Sequence, residues 1–309
     1  MRAWVPTLQP AEPVEWHHVE EPVPGPGEVL VAVEAYSPNR GEAFLLEAPR
    51  PGWRPGKDVA GTVAATGPDV RWPEVGTRVV AHPESGGWAE RVVVPVTRLA
   101  ELPDDIDAVV AAALPLAGLT ALRLLKVCGP LFGKTVLVTG ASGGVGHYLV
   151  ELAAAQGAIL TAVSSSPDRG RRLRELGAAE IVHDVADTSG PFDVVVESVG
   201  GDVLPKAWAR LAGRGLLVWL GQASREPVTL DFFDWSGAES GTLRKFSYAD
   251  SDRGEDEDLA TLVRLVQAGR LHPEIGDVRP WSDTCAALTD LVARKIRGNV
   301  VLTVDPGGL

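Results

Sequence analysis

The chain has 309 residues, 45% of them hydrophobic, and a formal net charge of -12 at pH 7. Length and apolar content predict two folded domains, and the negative charge argues against nucleic acid or an anionic membrane as the main partner. Because no apolar run approaches the ~20 residues of a membrane span and residues 1–13 do not resemble a signal peptide, we expect a cytoplasmic protein.

The first 110 or so residues contain short β-rich runs separated by glycine and proline. These runs are EVLVAVEAY, DVAGTVAATG, TRVVAH and AERVVVPV. Short strands separated by such turn residues predict an antiparallel β-rich domain or a partly open barrel. In residues 103–127 the apolar side chains then recur at spacings of three and four, which predicts helices interrupted near Pro115.

From Lys134 onward, strand patterns alternate with helix patterns. The predicted strands are TVLVTG, ILTAVS, EIVHD, DVVVESVG and LLVWLG, and the clearest helices run from about Gly144 to Gln156 and from Pro167 to Leu176. This alternation predicts parallel βαβ units in a doubly wound sheet.

After residue 248 the pattern changes again. The acidic stretch SDRGEDEDLA predicts a solvated loop and helix start, followed by the amphipathic helix LATLVRLVQAGR, a final helix and the strand NVVLTVD. We expect this tail to return to the first domain.

Cys128 and Cys285 are the two cysteines of the chain. Two cysteines are too few for a disulfide framework or a four-cysteine zinc site. We interpret both as small buried apolar side chains rather than reactive thiols.

The segment GASGGVGHYLV, residues 140–150, is the clearest candidate site. A glycine-rich turn between a strand and a helix lets backbone amides approach a diphosphate, although a tight packing turn without a ligand is the alternative. Its spacing is G-x-x-G-x-x-G, and His147 is more simply a packing residue. The predicted cradle consists of Gly140, Ser142, Gly143, Gly144, Val145 and Gly146.

The second strand of this domain ends in serines. An NAD site usually carries an acid there to bind the ribose 2′-hydroxyl, whereas this chain has Ser164 and Ser165, followed by Arg169. Hydroxyls and a guanidinium suit a 2′-phosphate, so the pattern favours NADPH over NADH. Asp168 is the one residue of this stretch that argues against NADPH. We interpret it as part of the following helix start.

Several blocks together resemble the zinc-free quinone oxidoreductases, including zeta-crystallin-like proteins, of the medium-chain dehydrogenase/reductase superfamily. The blocks are PGKDVAGTVAATG, GGWAERVVVPVTRLAELPD, AAALPLAGLTAL, GKTVLVTGASGGVGHYLVELAAAQGA, FDVVVESVGG and RGNVVLTVD. The resemblance implies an α/β fold with a GroES-like β-rich domain, residues 1–115 and 249–309, and a Rossmann domain, residues 116–248. It also implies a homodimer, commonly formed along the edge of the Rossmann sheet.

Zinc-dependent members of that superfamily carry a Gly-His-Glu block where this chain has Gly56, Lys57 and Asp58. The first 127 residues also lack cysteine. We therefore expect no zinc.

The resemblance also suggests residues near the nicotinamide. Asn39 and Thr120 match its catalytic positions, Leu220 and Gly221 match a loop beneath the cofactor, and Asn299 stands where relatives often have lysine. The Asn39 amide could donate to a developing oxyanion or simply hold a turn. Leu220 could equally be a core residue. Glu42 replaces the usual aspartate three residues after Asn39.

Without a metal to polarise a simple carbonyl, alcohol oxidation is a poor hypothesis. A quinone or α,β-unsaturated carbonyl accepts hydride at carbon and places charge on a distant oxygen, so positioning and a few donors suffice. We expect NADPH-dependent, zinc-independent reduction of such a small molecule. The alternatives are an enoyl-thioester or biosynthetic enoyl reductase, and a non-enzymatic NADPH-binding structural or sensing protein.

Overall fold

The computed structural model describes residues 1–9, 11–233, 239–252 and 254–305, and Arg253 of the acidic stretch lies outside them. Contacts between Cα atoms divide the chain into two compact units. The first comprises Met1–Leu119 with Asp252–Leu309, and the second comprises Thr120–Ser251.

The elements of the described residues are numbered in chain order. The strands are β1 (Arg2–Pro6), β2 (Val14–His18), β3 (Glu28–Tyr36), β4 (Val59–Thr66), β5 (Arg78–Ala81), β6 (Arg91–Pro95), β7 (Leu99–Glu101), β8 (Thr135–Val138), β9 (Ile159–Val163), β10 (Glu180–Val182), β11 (Phe192–Glu197), β12 (Leu211–Trp219), β13 (Thr242–Lys245), β14 (Ile275–Pro280) and β15 (Asn299–Thr303). The α-helices are α1 (Arg40–Leu45), α2 (Ala108–Ala112), α3 (Pro115–Cys128), α4 (Gly144–Ala155), α5 (Pro167–Gly170), α6 (Val203–Trp208), α7 (Glu255–Gln267) and α8 (Thr284–Val292).

The first unit is built on a seven-stranded sheet. Its order is β14-β15-β3-β4-β5-β7, with β6 also pairing with β3. All pairs are antiparallel except β14 with β15. Val29, Val31 and Val33 of β3 alternate along the strand into one hydrophobic core, as a period of two requires. The pairing of β15 with β3 brings the C-terminal segment into this sheet.

The second unit contains a six-stranded sheet whose pairs are all parallel, in the order β10-β9-β8-β11-β12-β13. Numbered from β8, this is the 3-2-1-4-5-6 order of the doubly wound dinucleotide-binding fold. Leu137, Val195 and Leu217, from three neighbouring strands, share one core cluster. The structure confirms the predicted fold class, a β-rich domain plus a doubly wound parallel-sheet domain.

Most predicted elements are found, with two differences in the second unit. The helix predicted from Pro167 to Leu176 ends at Gly170 and continues as a 3₁₀ turn over Arg171–Leu173. Glycine weakens helices because its backbone loses the most freedom on ordering. The other difference is β13, an additional strand whose four residues are all exposed.

Two further expectations concern helices. The interruption predicted near Pro115 is confirmed, since α2 ends at Ala112 and α3 begins at Pro115. Within the described residues, no helix is both long and apolar enough to cross a bilayer.

Candidate functional site

The glycine turn follows β8 and ends at the start of α4. Gly140 has a φ of +60°, and a Cβ there would lie 2.5 Å from Ser198 Oγ. A Cβ on Gly146 would lie 2.4 Å from the carbonyl oxygen of Ala141. Gly143 is the N-cap of α4. These glycines let the turn, the helix start and the segment after β11 approach closely, which a side chain would prevent.

This turn lies at the topological switch point of the sheet. The order reverses between β8 and β11, and Gly140 and Ser198 stand just beyond the carboxyl ends of these two strands. Ligands of open α/β sheets bind in the crevice at that position. The first backbone N–H groups of α4 lack acceptors within the helix and carry its positive dipole end, so they suit an anion.

At the end of β9, the serines have separate structural roles. Ser164 is buried, and its hydroxyl donates to the carbonyl oxygen of Ser166 at 3.2 Å. Ser166 caps α5, accepting from Arg169 N at 3.4 Å. Ser165 is exposed. Of the two serines predicted to contact the cofactor, only Ser165 presents its side chain to solvent.

Arg169 links this loop to the glycine turn. Its Nη2 donates to the carbonyl oxygen of Ser142 at 3.4 Å. The predicted phosphate-binding guanidinium and the predicted cradle are therefore neighbours in the structure. Asp168 instead forms an exposed ion pair with Arg171, three residues further on at the start of the 3₁₀ turn. This pairing places Asp168 at the helix start, where we expected it.

Glu197, at the end of β11, is a site residue that the sequence analysis missed. It is fully buried and accepts hydrogen bonds from Thr139 Oγ1 at 3.0 Å, Val199 N at 2.7 Å and Gly200 N at 3.0 Å. Burial raises the pKa of this carboxyl. The available signal was an acid inside the apolar run DVVVESV. Glu197 fixes the segment that carries Ser198 against the glycine turn.

Leu220 and Gly221 follow β12 at the same edge of the sheet. Leu220 N donates to the carbonyl oxygen of Glu197 at 2.9 Å, and a Cβ on Gly221 would lie 3.1 Å from the carbonyl oxygen of Ser198. Leu220 is partly exposed rather than fully buried in the core. The structure thus brings both predicted residues beside the segment after β11.

In the first unit, Asn39 is surrounded by carboxylates. Its Nδ2 donates to Asp58 Oδ2 at 2.8 Å and to Glu42 Oε2 at 3.3 Å. Glu42 also accepts from Asn39 N at 3.0 Å and from Gly56 N at 2.7 Å. Both carboxylates are buried, each 1% exposed. The two carboxylates and the carbonyl oxygen of Ser37, at 3.4 Å, engage the amide donors of Asn39, so the residue caps α1 and joins it to the segment before β4.

Asp58 has two further contacts. Its Oδ1 accepts from Leu116 N at 3.0 Å and lies 3.2 Å from Nδ1 of the buried His82. The same Nδ1 lies 2.8 Å from the carbonyl oxygen of Lys57. Because a carbonyl oxygen only accepts, the proton of the His82 ring is assigned to Nδ1.

The charge of Asp58 disfavours a second charge on the buried Glu42. Burial, together with the negative charge of Asp58, raises the pKa of Glu42 to about 7. Hydrogen bonds from Gly56 and Asn39 act in the opposite direction without cancelling the shift. The charge of Glu42 therefore changes near neutral pH.

Thr120 and Asn299 are the remaining two predicted site residues, and they lie in different elements. Thr120 lies in α3 and is 7% exposed. Asn299 begins β15, and its Nδ2 donates to the carbonyl oxygen of Glu274 at 3.2 Å. The Asn299 amide thus has a structural partner in its own unit, and its predicted cofactor contact stays a prediction.

Comparison with known proteins identifies the family. The alcohol dehydrogenase GroES-like domain matches residues 25–104, and the zinc-binding dehydrogenase domain matches residues 176–302. A quinone oxidoreductase from Pseudomonas aeruginosa is 34% identical, covering 94% of this chain and 95% of its own. The chain belongs to the quinone oxidoreductase type of the medium-chain dehydrogenase/reductase family. It is therefore an oxidoreductase, as the sequence predicts.

Two further members of this family are informative. A 2-haloacrylate reductase from Burkholderia sp. is 30% identical, covering 93% of this chain and 94% of its own. A mycobacterial protein solved as a complex with NADPH superposes with a TM-score of 0.88 at 30% identity, covering 98% of this chain and 100% of that one.

One of the two matching domain families is named for zinc binding, so the metal-ligating side chains of this chain matter. Across the described ranges, no three His, Cys, Asp or Glu side chains group as a metal ion would require. At the position of the zinc-dependent members' histidine this chain has Lys57, whose ammonium is a poor ligand at neutral pH.

Proposed function

We propose that this oxidoreductase uses NADPH, without zinc, to reduce a quinone or another α,β-unsaturated carbonyl compound. The observation that carries the proposal is the glycine turn at the switch point of the sheet, with Arg169 bonded to it. The named relatives support the substrate class, because one is a quinone oxidoreductase and haloacrylate is an α,β-unsaturated acid. The NADPH complex of the mycobacterial neighbour supports the cofactor.

The donors around the turn suit this cofactor. We propose that the amides of the turn and of the first residues of α4 bind its diphosphate, and that Ser165 and Arg169 bind its 2′-phosphate. Leu220 and Gly221 would contact its nicotinamide half. NADPH supplies a hydride when bound.

At the substrate end, the reaction also needs a proton, because reduction of a quinone or enone adds one hydride and one proton in all. We propose that the Thr120 hydroxyl donates a hydrogen bond to the substrate oxygen and that the proton itself comes from solvent water. The contacts of Asn39 with two carboxylates support the turn-holding role for this residue, so Asn39 would act by fixing the segment that carries it.

The substrate proposal is tested by following the loss of NADPH absorbance with the purified protein. The panel contains ortho- and para-quinones, enones and enoyl thioesters. We expect turnover of quinones or enones. Turnover of thioesters alone would replace the proposal by the enoyl reductase alternative. Tight NADPH binding without any turnover would favour the non-enzymatic alternative.

The enoyl reductase alternative has its own support. The chain is 32% identical to a segment of a mycobacterial phthioceranic/hydroxyphthioceranic acid synthase, covering 97% of this chain but 15% of the synthase. The panel above separates the two substrate classes directly.

The cofactor proposal is tested by Arg169→Ala. Loss of a charge-assisted hydrogen bond should weaken NADPH binding about tenfold or more while leaving NADH binding nearly unchanged. Arg174→Ala, on the exposed face after α5, is the matched control. Fluorescence titration measures both dissociation constants. An equal loss for NADPH and NADH would contradict the assigned 2′-phosphate contact.

A homodimer is also part of the proposal. All four residues of the edge strand β13 belong to the exposed part of the unit, and Leu230, Phe232 and Phe233 are exposed nearby in the sequence. An uncovered sheet edge with apolar neighbours favours pairing with a second copy.

A further inference from the structure

Arg54 lies between α1 and β4 and is half-buried. Its Nη1 atom is shielded from solvent and has no hydrogen-bond partner among the described residues, and no carboxylate within those ranges forms an ion pair with the guanidinium. Arginine keeps its positive charge at neutral pH. A shielded nitrogen of a charged group without an acceptor costs free energy, and an anionic ligand would remove that cost.

The guanidinium lies beside the turn that precedes β6. A Cβ on Gly86 would lie 3.8 Å from Arg54 Nη2, and Gly86 N donates to the carbonyl oxygen of Arg54 at 2.9 Å. Glu84, the acid of this turn, pairs instead with Arg98 at 3.0 Å. The backbone of Arg54 is therefore fixed, while its charge is left for a ligand.

The segment that carries Arg54 is also joined to Asn39. Gly56, which is two residues and at most about 7 Å from Arg54, donates its N–H to Glu42 Oε1 at 2.7 Å. Asp58, two residues later, accepts from Asn39 Nδ2 at 2.8 Å. The buried carboxylates thus hold this segment against Asn39, which belongs to the proposed substrate end of the site.

We propose that Arg54 binds the carboxylate of an α,β-unsaturated carboxylic acid and so selects anionic over neutral substrates. This inference rests on the proposed function and names a substrate class within it. The planar guanidinium matches a carboxylate through two parallel N–H···O bonds. Because a chain of net charge -12 repels anions at a distance, an anionic substrate needs a fixed cation where it binds.

The bound carboxylate also takes part in the reduction. Hydride adds to the β-carbon, the π electron pair moves to the α-carbon and spreads over the carboxyl oxygens, and a solvent proton then adds to the α-carbon. The product is the saturated acid, and NADPH is oxidised to NADP⁺. The acid carries one negative charge before hydride addition and two after it. A guanidinium on the carboxyl oxygens therefore stabilises the transition state more than the bound substrate.

The test compares methacrylate with its methyl ester, which has the same carbon skeleton and no charge. Arg54→Met removes the cation, and Arg54→Lys keeps a cation but loses the planar fork. Arg50→Met, at an exposed arginine of the same segment, is the matched control. The measurements are kcat/KM for both compounds, the affinity for the unreactive acid isobutyrate by ligand-observed NMR with NADP⁺ present, and the midpoint of urea unfolding.

We expect Arg54→Met to lower kcat/KM for methacrylate and the affinity for isobutyrate about 10- to 100-fold, with little effect on the ester. Arg54→Lys should recover part of each loss, and Arg50→Met should behave like the unaltered protein. The urea midpoint of Arg54→Met should not fall, because the guanidinium has no partner of its own to lose.

Three results would overturn the inference. They are equal losses for methacrylate and its ester, a lowered urea midpoint in Arg54→Met, and failure of the unaltered protein to bind isobutyrate or reduce methacrylate while it reduces neutral enones or quinones. Failure of the unaltered protein to reduce any quinone, enone or unsaturated acid would instead overturn the proposed function.

Discussion

Glu42 and Asp58 share the amide of Asn39, although both carboxylates are buried. Because neither reaches solvent, their mutual repulsion is relieved by a proton rather than by water. The raised pKa of Glu42, about 7, places that proton within the physiological range. Glu42 therefore couples the stability of this cluster to pH.

Glu42→Gln tests this coupling. In the unfolded chain Glu42 has its ordinary pKa of 4.5, so between there and about 7 the folded protein holds more protons than the unfolded one. The contribution of Glu42 to stability is therefore fully present below the lower value and is lost as pH rises through the upper one. The free energy of unfolding loses about 3 kcal/mol at most through this group.

Urea unfolding of both proteins between about pH 5 and pH 8 measures the difference. The free energy of unfolding of the unaltered protein should fall relative to that of Glu42→Gln as pH rises. Glu20→Gln, at an exposed residue just after β2, should not show this change. A constant difference across the range would show that Glu42 does not titrate there.

Residue types predicted which segments lie near one another at the candidate site, but not which side chains in them are exposed. The glycine turn and Arg169 lie together, as the spacing indicates. Ser164 could not be distinguished from Ser165, because burial of one hydroxyl depends on how the chain turns after β9. Glu197 gains its position from strand order, which places the end of β11 beside the end of β8 although the two strands are far apart in sequence.

At the level of elements, the turn before α4 tolerates little change. A Cβ on Gly146 would meet the backbone of Ala141 at 2.4 Å, and backbone cannot swing aside as a long side chain can. Gly146→Ala should therefore reduce the free energy of unfolding by about 1–3 kcal/mol and weaken NADPH binding.

Gly213→Ala is the matched control, since a Cβ there has open space within the same unit. Denaturant unfolding and NADPH titration are the two measurements. If Gly146→Ala behaved like Gly213→Ala in both, the close approach of turn and helix would not matter for the site.

Periodicity predicted long elements better than short exposed ones. Helix α4 and strand β11 have strong apolar patterns, because each packs against the core along its length. β13 has no such pattern, since all four of its residues are exposed at the edge of the sheet. Its strand conformation comes from pairing with β12 rather than from its own residues.

For the whole molecule, alternation of strands and helices predicted the parallel sheet, and resemblance to a family supplied the GroES-like assignment. Which strands pair is a different question. The tail strand β15 lies between β14 and β3, and hydrophobic periodicity gives no information about that partnership. Pairing of segments this distant depends on the complete fold.

The proposed homodimer provides the last prediction. If two copies pair along β13, Leu243→Lys would place like charges close together across a two-fold axis, and the dimer should dissociate. Val278→Lys is the matched control, because Val278 is also an exposed apolar residue of an edge strand, β14, in the first unit. Sedimentation velocity should show dimers for the unaltered protein and the control and monomers for Leu243→Lys. Dimers in all three would place the interface elsewhere, and monomers in all three would exclude the dimer at the concentrations used.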